Sequence, residues 1–325
     1  MPVGVNQPRW NRDLEPLPIV RVGEIETEED AQRWLVEELW GARSVGVIGG
    51  APKCSKTWLG LDIALSVATG TLCLDKYAVP EPGPVLVYLA EDALATVRER
   101  VAGMARHRHV DLGRIEIHVI TATALRLDRD PDRMRLLEAT RRLRPRLLLL
   151  DPLVRLHGID ENNAGEVAAL LAYFRSLQRL LDLSVILVHH TRKNATGGAA
   201  AGQGLRGSSD IHAFGDSNLY LRRAKEHLVL STEHRAAPAS PPIHLALITA
   251  NPETIHLEVI EQHPHGRPRS LEEQVLDVLD GGVVLTRMKL RDCLAVKNER
   301  LGEVLESLER AGRLRRTAAG WQRLD

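Results

Sequence analysis

The sequence predicts an α/β chain with a mostly parallel central sheet, an antiparallel extension, and a small C-terminal winged-helix-like domain. Three observations carry this. Arg146–Leu150 (RLLLL) and Ser184–Val188 (SVILV) are short runs, almost continuously apolar, as in strands buried on both faces. Between them, Val167, Leu170, Leu171, Phe174, Leu177, Leu180 and Leu181 are spaced as one face of a helix over Ala164–Asp182, so strands and helices alternate. Residues 271–325 break that rhythm with three short helical patterns and a hairpin.

In chain order, residues 1–23 read as a flexible arm. Thr27-Glu28-Glu29-Asp30 resembles a helix start, an N-cap threonine with acids in the first turn, and that helix is expected to run to Trp40 and stop at Gly41. Ser44–Gly49 reads as a strand, Lys56–Thr69 as a helix terminated by Gly70, and Val85–Ala90 as a second strand bounded by Pro82, Gly83 and Pro84. Arg114–Thr121 alternates like a half-buried strand. Asn194–Gly204 (NATGGAAAGQG) holds four glycines and four alanines in eleven residues and is expected to be mobile. Asn218–Arg223, Glu226–Thr232, Ile243–Thr249 and Thr254–Ile260 read as the antiparallel strands. His263–Arg269 (HPHGRPR) looks like a linker, which divides the chain into a large domain over 24–262, a linker over 263–270 and a small domain over 271–325. In the small domain Leu271, Val275, Leu276 and Leu279 give one helix, ended by Gly281-Gly282. Thr286 caps a second with Leu290 and Leu294 inward, and Leu301, Val304, Leu305 and Leu308 mark a third, stopped by Gly312. Arg313–Arg316 and Gly320–Leu324 are spaced to pair.

Composition excludes several classes. The 325 residues are 44% hydrophobic and 26% charged, enough for one large core and a small second domain. Lys and Arg balance Asp and Glu, so any basic surface is local. Aromatics, at 3%, are too few for a broad base-stacking platform. Cys54, Cys73 and Cys293 have no C-x-x-C spacing and read as reduced thiols of a cytoplasmic protein. No apolar run approaches the roughly 18 residues of a membrane helix, so no membrane partner is expected.

The chemistry concentrates at strand ends. Gly50-Ala51-Pro52-Lys53-Cys54-Ser55-Lys56-Thr57-Trp58 follows a strand and opens a helix, a near match to the phosphate-binding pattern G-x-x-x-x-G-K-[ST] with Ser55 at the second glycine. Backbone N–H groups and the helix N-terminus converge there on one point; Lys56 adds charge for the β- and γ-phosphates, and the Thr57 hydroxyl suits Mg²⁺. Should Ser55 need a positive φ, serine costs roughly 1–2 kcal/mol relative to glycine. Glu91, in YLAED at a strand end, is placed to polarise an attacking water. Asp151 closes LLLLDP, four leucines and then an acid that emerges beside the loop to hold Mg²⁺. His189 and His190 end the next strand (VILVHH), where a polar side chain can contact a γ-phosphate. Arg206, in LRGSSD, is suited to a phosphate of a neighbouring subunit or to a surface salt bridge.

Taken in order, the loop, YLAED, LLLLDP, RLHGIDENNAG, VILVHH and LRGSSD resemble the RepA-type hexameric replicative helicases of plasmids, members of the RecA-like ATPases. The resemblance covers roughly residues 40–235 and is most specific from Leu147 to Asp210. It implies a RecA-like P-loop core, a homo-oligomeric ring of six subunits, and ATP with Mg²⁺ at each interface. By motif it implies Lys56 and Thr57 on phosphate and Mg²⁺, Glu91 as the catalytic carboxylate, and Asp151 as the Walker B acid. It further implies His190 as phosphate sensor, Arg206 as a finger in trans, and Lys193 in a channel loop that touches single-stranded DNA. Residues 271–325 are not part of the minimal plasmid helicase. Their third helix begins Lys297-Asn298-Glu299-Arg300, of which Lys297, Asn298 and Arg300 suit a DNA groove. The same segment holds ten Lys/Arg and ten Asp/Glu, so duplex DNA and a replication protein both stand as its partner.

The expected function is an ATP-driven ring motor on single-stranded DNA, a replicative helicase of a plasmid, phage or other mobile element. The alternative is a nucleotide-switched DNA-binding regulatory ATPase that does not unwind, and a third reading is a recombinase-like ATPase acting on protein partners. His107-Arg108-His109 and His263-Pro264-His265 show no cysteine or acidic cluster at metal spacing and are expected at the surface.

Overall fold

The structure is a computed structural model that describes residues 18–25, 33–190, 209–224, 227–249, 251–260, 271–280, 283–294, 296, 298–317 and 320–324. Contacts divide the chain into two compact units, Met1–Val259 and Ile260–Asp325.

The larger unit opens with a small hairpin, β1 (Trp34–Val36) and β2 (Trp40–Gly41). The helix expected to run to Trp40 is therefore absent over this stretch. Leu35, Val36, Leu39 and Trp40 are all buried, Glu38 turns the chain in the left-handed region, and the Glu37 N–H bonds the Ala78 carbonyl at 2.9 Å. An apolar pattern that local periodicity assigns to a helix is taken up here by tertiary burial.

Next come β3 (Val45–Gly50), α1 (Lys56–Thr69), β4 (Val85–Leu89), α2 (Leu94–His107), β5 (Ile117–Val119), α3 (Asp130–Leu143), β6 (Leu147–Asp151), α4 (Ala164–Leu181) and β7 (Ser184–His190). After them lie α5 (Ser209–Phe214), β8 (Ser217–Ala224), β9 (His227–His234), β10 (Ile243–Ile248) and β11 (His256–Val259). Nine strands form one sheet in the order β11-β10-β9-β8-β3-β7-β6-β4-β5. From β8 to β5 every pair is parallel; β9, β10 and β11 extend the sheet antiparallel.

The leucine run in β6 shows why the sheet is buried on both sides. Leu147 and Leu149 pack on one face with Leu59, Ile63 and Val67 of α1, while Leu148 and Leu150 pack on the other with Leu170, Phe174 and Leu177 of α4. Side chains alternate across a strand, so a strand covered on both faces is apolar at every position. α1 begins and ends where the sequence places it, with Gly70 left-handed at its C-terminus.

Arg108 departs from its expected surface position. Its side chain is 4% exposed and ion-pairs with Asp62, itself 1% exposed, at 2.7 Å, and it donates to the Ser66 hydroxyl at 2.6 Å. Asp62 lies inside α1, out of reach of any spacing argument about residues 107–109.

In the smaller unit, α6 (Leu271–Val278), α7 (Arg287–Leu294) and α8 (Asn298–Arg310) enclose Val275, Leu276, Leu290, Leu301, Leu305 and Leu308. The Thr286 hydroxyl accepts from the Lys289 N–H, as its capping position requires. The hairpin β13 (Leu314–Thr317) and β14 (Gly320–Arg323) is joined by a short strand the sequence did not signal, β12 (Val284–Leu285), to give a three-stranded sheet. The linker residues 263–269, and with them His263 and His265, lie outside the described residues.

Candidate functional site

Parallel pairing brings the chemistry to one edge. Gly50 at the end of β3 is level with His190 at the end of β7, and Leu89 at the end of β4 is level with Asp151 at the end of β6. The carboxyl ends of the strands therefore meet the loop between β3 and α1, where wound sheets place ligands. A cleft of about 310 Å³ opens there, lined by Lys53 to Trp58, Glu91, Asp92, Arg100, Asp151 and His190.

The loop backbone is demanding. A Cβ at Gly50 would collide with the Leu221 carbonyl oxygen and lie 2.7 Å from the Cys54 sulfur, so only glycine fits. Lys53 and Ser55 are both left-handed, and Ser55 has φ 65° and ψ 25°. Ser55 is the N-cap of α1, yet its side chain makes no capping hydrogen bond. The first-turn N–H groups are thus left for another acceptor at the cleft, the arrangement an anion uses. Ser55→Gly is expected to stabilise the protein by about 1 kcal/mol through relief of the left-handed strain, and to keep or raise nucleotide turnover. Urea unfolding and steady-state hydrolysis check this, and a marked loss of turnover would assign the hydroxyl a role of its own.

Lys56 is buried, and its ammonium donates to the carbonyls of Gly50 at 3.0 Å and Ala51 at 2.8 Å. Burial lowers its pKa below that of an ordinary lysine. Beneath it the buried Cys54 thiol donates to the Leu221 carbonyl, and burial pushes that thiol up, which keeps it neutral. The Thr57 hydroxyl donates to Asp151 Oδ2 at 2.7 Å. Asp151 is 8% exposed, and its pKa is pushed up to about 6, chiefly by burial; the Thr57 bond and Lys56 pull it down, while Asp92 and Glu91 push it further up.

The alternation of β7 separates its two terminal histidines. His190 lines the cleft, whereas His189 is buried with its Nδ1 4.0 Å from Glu161, a carboxylate also 3.6 Å from His157. The stretch RLHGIDENNAG thus meets VILVHH through Glu161.

Two cleft residues, Asp92 and Arg100, and the Arg155 partner of Glu91 were not expected from the sequence. Glu91 is ion-paired with Arg155 at 2.8 Å, both half-exposed, and Asp92 with Arg100 at 2.7 Å. The Arg100 guanidinium also sits 5.5 Å from the centre of the Trp58 ring. Asp92 adjoins Glu91, so a second strand-end acid was visible in YLAED. Nothing local marks Arg100 or Arg155. Lys193, Arg206 and Lys297 lie outside the described residues; Asn298 opens α8, and Arg300 is exposed in its first turn. No helix among the described residues is long and apolar enough to cross a membrane.

The model of the AAA domain family matches residues 11–196, more than half of the chain. The chain belongs to that family. In fold the chain is similar to a DnaB-like replicative helicase solved with its interactions with primase, at a TM-score of 0.50 and 16% identity, over 64% of this chain. The match spans 57% of that helicase. The RadB recombinase gives a TM-score of 0.49 and 16% identity over 68% of this chain and 92% of its own. No curated protein matches. The unit Met1–Val259 thus carries an AAA domain within a mixed, mostly parallel sheet, a fold it shares with the DnaB-like helicase.

Proposed function

We propose that the protein is an ATP-dependent, ring-forming motor that acts on single-stranded DNA, a replicative helicase of a mobile element. The observation that carries the ATPase step is the Thr57–Asp151 hydrogen bond at the mouth of the loop, with buried Lys56 behind it. A hydroxyl and a buried carboxylate side by side form the hard oxygen pair that Mg²⁺ prefers, and a carboxylate with a raised pKa gains from a nearby cation. The donor set fits the ion. Mg²⁺, when bound, supplies positive charge beside the transferring phosphoryl group.

The residues divide the work as follows. Gly50 lets the backbone approach the phosphates, and the α1 N-terminus offers its N–H groups. Lys56 exchanges the Gly50 and Ala51 carbonyls for the β- and γ-phosphate oxygens. Thr57 and Asp151 hold the Mg²⁺ position. Glu91 leaves Arg155 to orient the attacking water; that pair is half-exposed and worth about 1 kcal/mol or less, so it opens readily. His190 reports the γ-phosphate to the segment after β7. Arg206 completes the site of a neighbouring subunit, and Lys193 contacts DNA. The DNA substrate and the ring are supported by the motif order shared with the plasmid helicases and by the fold shared with a DnaB-like helicase. Residues 271–325 are assigned to duplex DNA or a replication protein, with Lys297, Asn298 and Arg300 as the DNA-facing set.

A regulatory ATPase that does not unwind is the second reading, favoured by Glu91 resting on Arg155 and by the second compact unit. The two separate in one set of measurements: oligomeric state with and without ATP, hydrolysis with and without single-stranded DNA, and strand separation on a forked duplex. The motor reading expects rings, DNA-stimulated hydrolysis and unwinding. Lys56→Ala, Glu91→Gln and Arg206→Ala should each abolish unwinding and cut hydrolysis by about 10²-fold or more. Rings that hydrolyse ATP but never separate strands would rule out the helicase reading.

A further inference from the structure

We propose that Asp75, His107 and His256 bind a divalent transition-metal ion of the zinc class, away from the nucleotide cleft, and that the ion ties the sheet edge to the helical layer. Each of the three side chains offers one ligand atom, and these atoms lie within 4.8 Å of one another. They come from three elements that the fold alone unites. Asp75 sits in the turn after α1, His107 is the last residue of α2, and His256 is the first residue of the edge strand β11. His107, expected at the surface with no acid at metal spacing in the sequence, meets its acid in Asp75 across the fold.

The contacts already resemble a ligand set. His107 Nε2 lies 2.7 Å from Asp75 Oδ2, and the imidazoles of His107 and His256 stack with centroids 3.4 Å apart. His256 is 7% exposed, and its Nδ1 is 2.6 Å from the Thr254 carbonyl. A carbonyl only accepts, so Nδ1 carries the proton and Nε2 keeps its lone pair, the tautomer a metal-binding histidine needs. Leu74 and Asp75 are consecutive left-handed residues, a costly turn that presents this carboxylate. Arg108 approaches Asp75 only to 4.0 Å, because its guanidinium is committed to Asp62. Asp75 and His107 are both partly exposed, which gives an ion a way in.

Two imidazoles and one carboxylate form a borderline donor set. It suits Zn²⁺ and its neighbours over Mg²⁺ or Ca²⁺, which prefer all-oxygen sites. Three protein ligands leave one position for water. Ligand bonds of about 2.0–2.2 Å require His107 to turn off the face of His256, a rotation open to a partly exposed side chain at a helix end.

The test uses the full-length chain, stripped of metal by a chelator and titrated with Co²⁺ under excess Mg²⁺, which saturates the oxygen ligands of the cleft. The expected result is the visible absorption of tetrahedral Co²⁺, saturating at one equivalent and displaced by Zn²⁺. Asp75→Asn and His107→Gln should each weaken binding by about 10-fold or more. His256→Gln should do the same; Asp75, being exposed, gives the variant whose fold is least at risk, checked by circular dichroism. His244→Gln removes a second histidine pair, His227 with His244 at 3.0 Å, and should leave binding unchanged. Absence of saturable binding, binding indifferent to Asp75→Asn, or binding lost in His244→Gln would overturn the proposal.

Discussion

Asp151→Asn is expected to lower ATP hydrolysis by about 10²-fold or more while making the folded protein more stable at neutral pH. The two effects share one cause. Asp151 is buried, with Glu91 and Asp92 near it, and its pKa is about 6 against an ordinary 3.8. A carboxyl whose pKa is higher in the folded state favours folding while protonated, below about pH 4, and loses that contribution as pH rises through 6. Two pH units correspond to about 3 kcal/mol at most, so the neutral amide should recover about 1–3 kcal/mol at pH 7–8. The Asn side-chain oxygen can still accept from Thr57. Urea unfolding of the two proteins at pH 8 and pH 4.5 checks this: the gain should be full at the first and mostly lost at the second. A gain equal at both pH values would locate the stabilisation elsewhere. Under the proposed role of Asp151 on Mg²⁺, turnover at limiting Mg²⁺ should fall as pH drops below about 6, where protons compete with the ion for this carboxylate.

Arg108→Ala should destabilise the unit Met1–Val259 by about 3–5 kcal/mol. Its guanidinium meets Asp62 at 2.7 Å and bonds the hydroxyls of Ser66 and Thr71 at 2.6 and 3.1 Å. Asp62 in turn accepts from the Leu74 N–H at 2.8 Å. Removing the arginine leaves a carboxylate that is 1% exposed without its counter-charge. The double variant Asp62→Asn with Arg108→Met, which removes both charges and keeps volume, should lose much less than Arg108→Ala alone. Chemical denaturation of the wild type, Asp62→Asn, Arg108→Met and the double variant measures the coupling. Strict additivity of the single changes would show that the pair is not interacting.

Much of the site was legible in the chain because it sits at strand ends. A run such as LLLLDP announces both a buried strand and the point where it leaves the core, and parallel pairing sets such points side by side. Thr57 and Asp151, 94 residues apart, meet at 2.7 Å for that reason. Period-two alternation likewise assigns His190 to the cleft and His189 to the interior, once the face of β7 is known. The stretch Trp34–Trp40 was misread because its apolar spacing fits a helix, and the turn at Glu38 has no glycine to mark it.

By itself the sequence determined the wound α/β core, the limits of α1, and the order in which Lys56, Thr57, Glu91, Asp151 and His190 reach one edge. These depend on local periodicity and on the direction of each strand, which neighbouring residues encode. Only the tertiary structure decided that Ser55 adopts φ 65°, that Glu91 rests on Arg155, that Arg108 is buried on Asp62, and that Asp75, His107 and His256 converge. A charged or ligating side chain finds its partner across layers, by contact between segments that no local pattern connects.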